Sequence, residues 1–158
     1  MNTNGMKLLV VGLLLLSAQF ALAADTTPAT ETPDKLKAAR TQIQNKKWDA
    51  AIVELKSVND TGSADWNNLM GYSLRKSATP DYAGAEKFYD AALRIDPKHR
   101  GALEYSGELY LITGNLPKAE ERLAVLDKVC ILPCEEFTDL KKAVARYKAA
   151  GNKYVPAS

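Results

Sequence analysis

Cys130 and Cys134 are the only cysteines in the 158-residue chain, separated by Ile131-Leu132-Pro133. Two nearby thiols can bond to one another, exchange electrons, or hold a soft metal such as Cu(I). A redox pair usually reads Cys-x-x-Cys beside a βαβ pattern, and haem attachment needs Cys-x-x-Cys-His. Neither motif occurs here, and no His or Met run beside the pair completes a copper site. Pro133 opposes a continuous helix, so the backbone can fold back to the Cα separation of about 5–6 Å that a disulfide needs. A five-residue loop closed in this way contributes only about 2 kcal/mol or less. The leading reading is a structural disulfide that sets the angle of the segment after it. Metal and redox handling by Cys130 and Cys134 stay open as the alternative.

Little else in the chain has catalytic spacing. There is a single His, His99, which follows Asp96-Pro97-Lys98 at a helix start and reads as a surface or cap residue. There is no Gly-rich phosphate loop, no set of residues for a His-based triad and no zinc spacing. We therefore expect no enzyme, no cofactor and no metal. Lys and Arg number 21 against 19 Asp and Glu, for a net charge of +2, which lacks the basic footprint of a nucleic-acid binder. The basic pair Lys141-Lys142 reads as a solvated face.

Residues 1–23 have the order of a secretory signal peptide. Lys7 precedes the apolar run Leu8–Leu16, and Ala21-Leu22-Ala23 supplies a small-x-small cleavage site. Ser17 and Gln19 interrupt the run before it reaches the roughly 20 apolar residues of a spanning helix. The expectation is cleavage between Ala23 and Ala24, export to the periplasm, and no stable membrane insertion afterwards. Residues 24–33 (ADTTPATETP) have no apolar periodicity and read as a flexible leader.

The rest of the chain repeats. Ala51, Ala85 and Ala119 stand 34 residues apart, each three residues after Trp48, Tyr82 or Leu116. Leu55 and Val58, Tyr89 and Ala92, and Leu123 and Leu126 follow each Ala at the spacing of one helix face. Gly71 and Gly107 begin a matching pattern in the preceding helices, with two extra residues of the middle unit falling around Lys76–Thr79. Turn residues at Asn59–Gly62, Thr79–Asp81, Asp96-Pro97 and Thr113–Asn115 mark the breaks. Helices are predicted near 34–46, 48–58, 65–77, 81–95, 99–113 and 116–130. A seventh, near 134–150, carries the stripe Phe137, Leu140, Val144 and Tyr147 and suits a terminal cap. The expected class is all-α, an α-solenoid of three helix pairs (34–63, 64–98, 99–130), a Cys turn with capping helix (131–152) and a tail (153–158). Trp48, Tyr82, Tyr89 and Tyr110 read as repeat core. Trp66 reads as either core or an anchor at a groove edge.

The period with Gly107-Glu108-Leu109-Tyr110, Gly114 and Ala119, and with Gly71, Ala85, Tyr89 and Pro97, resembles the tetratricopeptide repeat (TPR) family. The Cys-x3-Cys stretch with its following helix is also similar to the tail of small exported TPR proteins of proteobacteria. The resemblance implies a concave groove lined by the first helix of each pair. Its positions are Leu36, Arg40 and Ile43, then Asn68, Tyr72 and Arg75, then Glu104, Glu108 and Ile112. Mixed apolar, aromatic and charged residues there suit an extended peptide or a protein helix. The carboxylate clamp of chaperone-adaptor TPRs is not expected, because its positions hold Leu36, Arg40, Gly101 and Tyr105. The implied function is non-catalytic protein or peptide binding by a monomer. If Tyr72 and Arg75 are solvated groove residues, changing both to Ala leaves the melting temperature unchanged.

Overall fold

The computed structural model describes residues 34–132 and 134–156; the signal-peptide and leader segments, Pro133 and the last two residues lie outside the described residues. Among the described residues seven helices follow one another: α1 (Lys37–Gln44), α2 (Trp48–Val58), α3 (Ala64–Lys76), α4 (Tyr82–Ile95), α5 (Arg100–Ile112), α6 (Leu116–Val129) and α7 (Glu135–Ala149). There is no strand among the described residues, and no helix there is long and apolar enough to cross a membrane.

Local chemistry starts the helices where turns were expected. Ser63 Oγ accepts from Trp66 N–H at 3.2 Å, Asp81 Oδ1 from Gly84 N–H at 2.8 Å, and Asn115 Oδ1 from Lys118 N–H at 3.3 Å. Each removes one of the orphan donors of a first turn. His99 does the same for α5, its Nδ1 accepting from Ala102 N–H at 3.0 Å. α2 ends at Asn59, whose left-handed backbone (φ 50°) satisfies the last carbonyls. The two extra residues of the middle unit lie in the connection after α3, which runs from Ser77 to Asp81, whereas α5 reaches α6 through Thr113–Asn115. A loop absorbs such an insertion at little cost.

Packing explains the period. Ala51, Ala85 and Ala119 are completely buried, one in the second helix of each pair. A methyl there lets the partner helix approach, and large residues a turn away fill the space beside it. At Gly71, a Cβ would lie 2.9 Å from the ring of Tyr89 and 3.1 Å from the Ala85 carbonyl, so α3 and α4 meet where only hydrogen fits. The core is a chain of local clusters. Leu36, Ala39, Leu55, Trp66 and Met70 join α1, α2 and α3. Ala85, Tyr89, Ala92, Ala102 and Leu109 join α4 to α5. Leu103, Tyr110, Leu126, Leu140, Val144 and Tyr147 join α5, α6 and α7. Each unit buries its apolar face only against its neighbours, as a solenoid requires.

One aromatic reading left open is decided, and two others change. Trp66 is core: its indole N–H donates to the Leu55 carbonyl at 2.8 Å and its ring meets Phe88 edge-on. Tyr82 is 37% exposed and belongs to the surface, at the first residue of α4. Trp48 is only half buried and packs edge-on against Tyr72, with centroids 5.7 Å apart. Tyr89 and Tyr110 are buried core residues.

Cys130 and Cys134 are disulfide-bonded with Cα atoms 5.8 Å apart, at the end of α6 and the start of α7. α7 is already held by Leu140, Ala143, Val144 and Tyr147, all buried. Changing both cysteines to Ser is therefore expected to cost about 2 kcal/mol or less in urea unfolding, with the helical circular-dichroism signal retained. A loss of helicity at 25 °C would instead mean that the bond, and not the apolar stripe, seats α7.

Candidate functional site

α1, α3, α5 and α7 lie side by side, each touching the next, and form one face of the stack. This face carries most of the candidate groove residues, but not as a row of solvated side chains.

At its N-terminal end, Arg40 donates to Asp65 Oδ2 at 2.9 Å, and His99 Nε2 lies 2.9 Å from Asp65 Oδ1. Since Nδ1 of His99 accepts a backbone bond, Nε2 carries the proton and donates. Burial pushes the Asp65 carboxyl up, but the bonds from His99 and Arg40 outweigh it and hold it below its ordinary value. One carboxylate thus ties α1, α3 and the start of α5 together. Leu36 and Asn68, expected to line the groove, are buried in the stack instead. Leu36 fills the first core cluster. Asn68 packs its amide nitrogen 3.0 Å from where a Gly101 Cβ would stand. Ile43 also packs against the first core cluster.

The centre is built around Arg75. Its side chain is 3% exposed and its Nη1 donates to Glu108 Oε2 at 2.7 Å. The guanidinium carbon lies 5.4 Å from the Tyr72 ring centroid and 5.5 Å from that of Tyr105. Tyr72 and Tyr105 are themselves in contact, at 4.5 Å. The solvated reading of Arg75 is corrected. Its position faces the gap between α3 and α5, where Glu108 supplies the counter-charge, so the stack closes over it.

Beside this pair lies a cavity of about 360 Å³ whose walls include Tyr72, Tyr105, Glu104, Glu136 and Asp139. Glu104 is only 9% exposed. Burial, reinforced by Glu108, Asp139 and Glu136 and opposed by Arg75, pushes its carboxyl up to about 8 from an ordinary 4.5. Folding therefore takes up a proton at Glu104. That stabilisation is complete below pH 4.5 and is lost as the pH rises through about 8. Glu104→Gln is expected to remove this slope and to be more stable than the parent by about 1–3 kcal/mol at pH 9, with little difference at pH 4. Parallel stability curves for the two proteins from pH 4 to 9 would show that Glu104 keeps an ordinary carboxyl.

The C-terminal segment of the chain borders the remainder of the face. Tyr154 and Pro156 share a cavity of about 350 Å³ with Arg75, Ile112 and Arg146. Val155 and Pro156 border a second, of about 470 Å³, with Glu104, Asp139 and Lys142. Residues 153–156 have no regular structure and are exposed, with Tyr154, Val155 and Pro156 at the edge of these cavities. Burial, with Glu108 nearby and Arg75 and Arg146 opposing, pushes the Tyr154 hydroxyl up.

The face thus brings Tyr72, Arg75, Glu104, Glu108 and Ile112 together and leaves Arg40 with Asp65 at the far end. Glu136 and Asp139 were not anticipated. The signal was present: Asn68, Glu104 and Asp139 are each the fifth residue of α3, α5 and α7, which begin at Ala64, Arg100 and Glu135. Continuing the groove register into α7 would have found Asp139, though not Glu136, the second residue of that helix. A further depression, about 640 Å³, surrounds the disulfide and its exposed Ile131 and Leu132, and meets this face at Glu135 and Glu136. Both sulfurs there are in the bond, and no group of three His, Cys, Asp or Glu able to hold a metal occurs among the described residues.

Helix pairs stacked in register around small residues decide the architecture. The fold is a TPR-like α-solenoid. No protein-family model matches the chain. It is similar to the BBSome complex member BBS4 of Mus musculus, 32% identical over 113 residues, which cover 68% of this chain and 20% of that protein. The chain thus spans about a fifth of the length of the curated relative it matches. Among solved structures, it superposes on the type III secretion chaperone SycD of Yersinia enterocolitica, crystallised with a peptide of the translocator YopD. The TM-score is 0.59 at 21% identity, covering 73% of this chain and 88% of that one. At that identity the likeness concerns the fold of the TPR-like stack.

Proposed function

We propose that this protein is a non-catalytic adaptor that binds an extended segment of a protein partner across the face of α3, α5 and α7. The observation that carries the reading is the position of residues 154–156. A short apolar segment without regular structure lies along that face, beside Ile112, Arg146 and the Arg75–Glu108 pair. What accommodates Tyr154-Val155-Pro156 in this chain can accommodate a like segment from another. The SycD complex, in which a TPR-like stack is crystallised with a peptide of YopD, supports the same reading.

The test is selection of nine-residue peptides from a random displayed library on the full chain. Retained peptides are expected to lose at least tenfold in affinity on Tyr105→Ala, with the melting curve still cooperative. Peptides indifferent to Tyr105→Ala and Tyr72→Ala, or no retained peptide at all, would remove the groove from the function. We propose further that the protein acts as a monomer in the periplasm after cleavage between Ala23 and Ala24. Sequencing the N-terminus of protein recovered from the exporting cell should begin at Ala24.

A further inference from the structure

Glu104 poses a specific problem. It is nine-tenths buried, it opens onto two cavities, and it has no hydrogen bond or ion pair among the described residues. The neighbouring cations that form ion pairs all serve other carboxylates, and Lys76 and Arg146, which also line these cavities, form no ion pair with Glu104. Arg75 serves Glu108, Lys142 lies 3.3 Å from Asp139, and Arg100 lies 3.6 Å from Glu136. A buried carboxylate without a partner is costly, and like charges on Glu108, Glu136 and Asp139 raise that cost. The rings of Tyr72 and Tyr105 line the cavity beside it, and aromatic faces attract organic cations. The cavity lacks the carboxylate grouping that a hard metal ion needs.

We propose that this cavity takes a Lys or Arg side chain of the bound segment, with Glu104 as its counter-ion and Tyr72 and Tyr105 as its walls. The inference rests on the groove reading above and specifies which segments the groove selects. It also explains why the chain's own tail leaves Glu104 unpaired. Tyr154 and Pro156 border the neighbouring cavity, Val155 and Pro156 border the one that Glu104 shares, and none of the three carries a cation.

Charge linkage sets a pH signature. In the free protein Glu104 holds its proton up to about pH 8. A bound cation favours the ionised form, so binding near neutral pH expels that proton. Affinity should therefore rise with pH and level off once Glu104 is ionised before binding. The other charges facing it are Glu108 on α5, Glu135, Glu136 and Asp139 on α7, and Arg75 and Lys76 on α3. Lys142 and Arg146 border the second cavity. Tyr72 and Tyr105 are both pushed up and stay neutral through this range.

The experiment uses the selected nine-residue peptides, acetylated so that no terminal amine competes, on the full disulfide-bonded chain. Selection should enrich Lys or Arg at one position. Replacing that residue by Gln should weaken binding at least tenfold at pH 8.5 and less at pH 6.5. In Glu104→Gln the basic peptide and its Gln version should bind alike, and Asp139→Asn should narrow the gap in part. A retained preference in Glu104→Gln, or selected peptides with no basic position that still depend on Tyr105, would overturn the cation pocket while leaving the groove standing. Peptides that ignore Tyr105→Ala would overturn both.

Discussion

Arg75→Ala is expected to destabilise the protein by about 3–5 kcal/mol, the cost of removing one member of a buried ion pair. The guanidinium is enclosed by Tyr72, Tyr105 and Glu108, with a contact as short as 2.7 Å. Without it, Glu108 and Glu104 face each other in a partly dry cavity, and Tyr72 and Tyr105 lose the group they clasp. Arg75→Met with Glu108→Gln should recover most of the loss, because an apolar side chain and a neutral amide do not need the pair. Urea unfolding of the single and double variants checks this. If Arg75→Ala falls within 1 kcal/mol of the parent, the guanidinium is solvated after all and the centre of the face has been misread. The expectation that Tyr72 and Arg75 could be changed together without thermal cost is not tenable on this geometry. Tyr105→Ala is the better probe of binding.

Gly107→Val should cost about 2–3 kcal/mol through overpacking. A Cβ at Gly107 would stand 2.5 Å and 2.8 Å from the two methyl carbons of Leu140, which is itself completely buried and cannot retreat. The strain falls on the seat of α7, which also carries Glu136 and Asp139, so peptide affinity should fall along with stability. Leu140→Ala in the same chain should restore part of the loss, since each change makes room for the other. Gly62→Ala serves as control, because nothing lies within 4 Å of a Cβ there. Equal effects at the two glycines would show that α7 adjusts freely and that the Gly107–Leu140 contact does not set its position.

The repeat was legible because its cause is local. Small residues at a fixed period mark where one helix crosses another, and the three alanines are all fully buried. Turn residues located two of the breaks because Asp81 and Asn115 cap helices with their own side chains. The site was legible only as a set of positions. That Arg75 would be buried depended on Glu108, a helix away, supplying its charge. That Leu36 would be core rather than groove depended on α3 covering it.

By itself, then, the sequence determined the class of fold, the order of the helices, the place of the two-residue insertion and which small residues lie at the crossings. These follow from periodicity and capping, which act within a few turns of chain. The tertiary structure alone decided which groove residues face water, that Glu104 has no partner, that Gly107 seats Leu140 of α7, and that the tail returns along the face. Those depend on what the stacked helices bring opposite one another, and a residue's charge state and burial are set by that surrounding rather than by its own type.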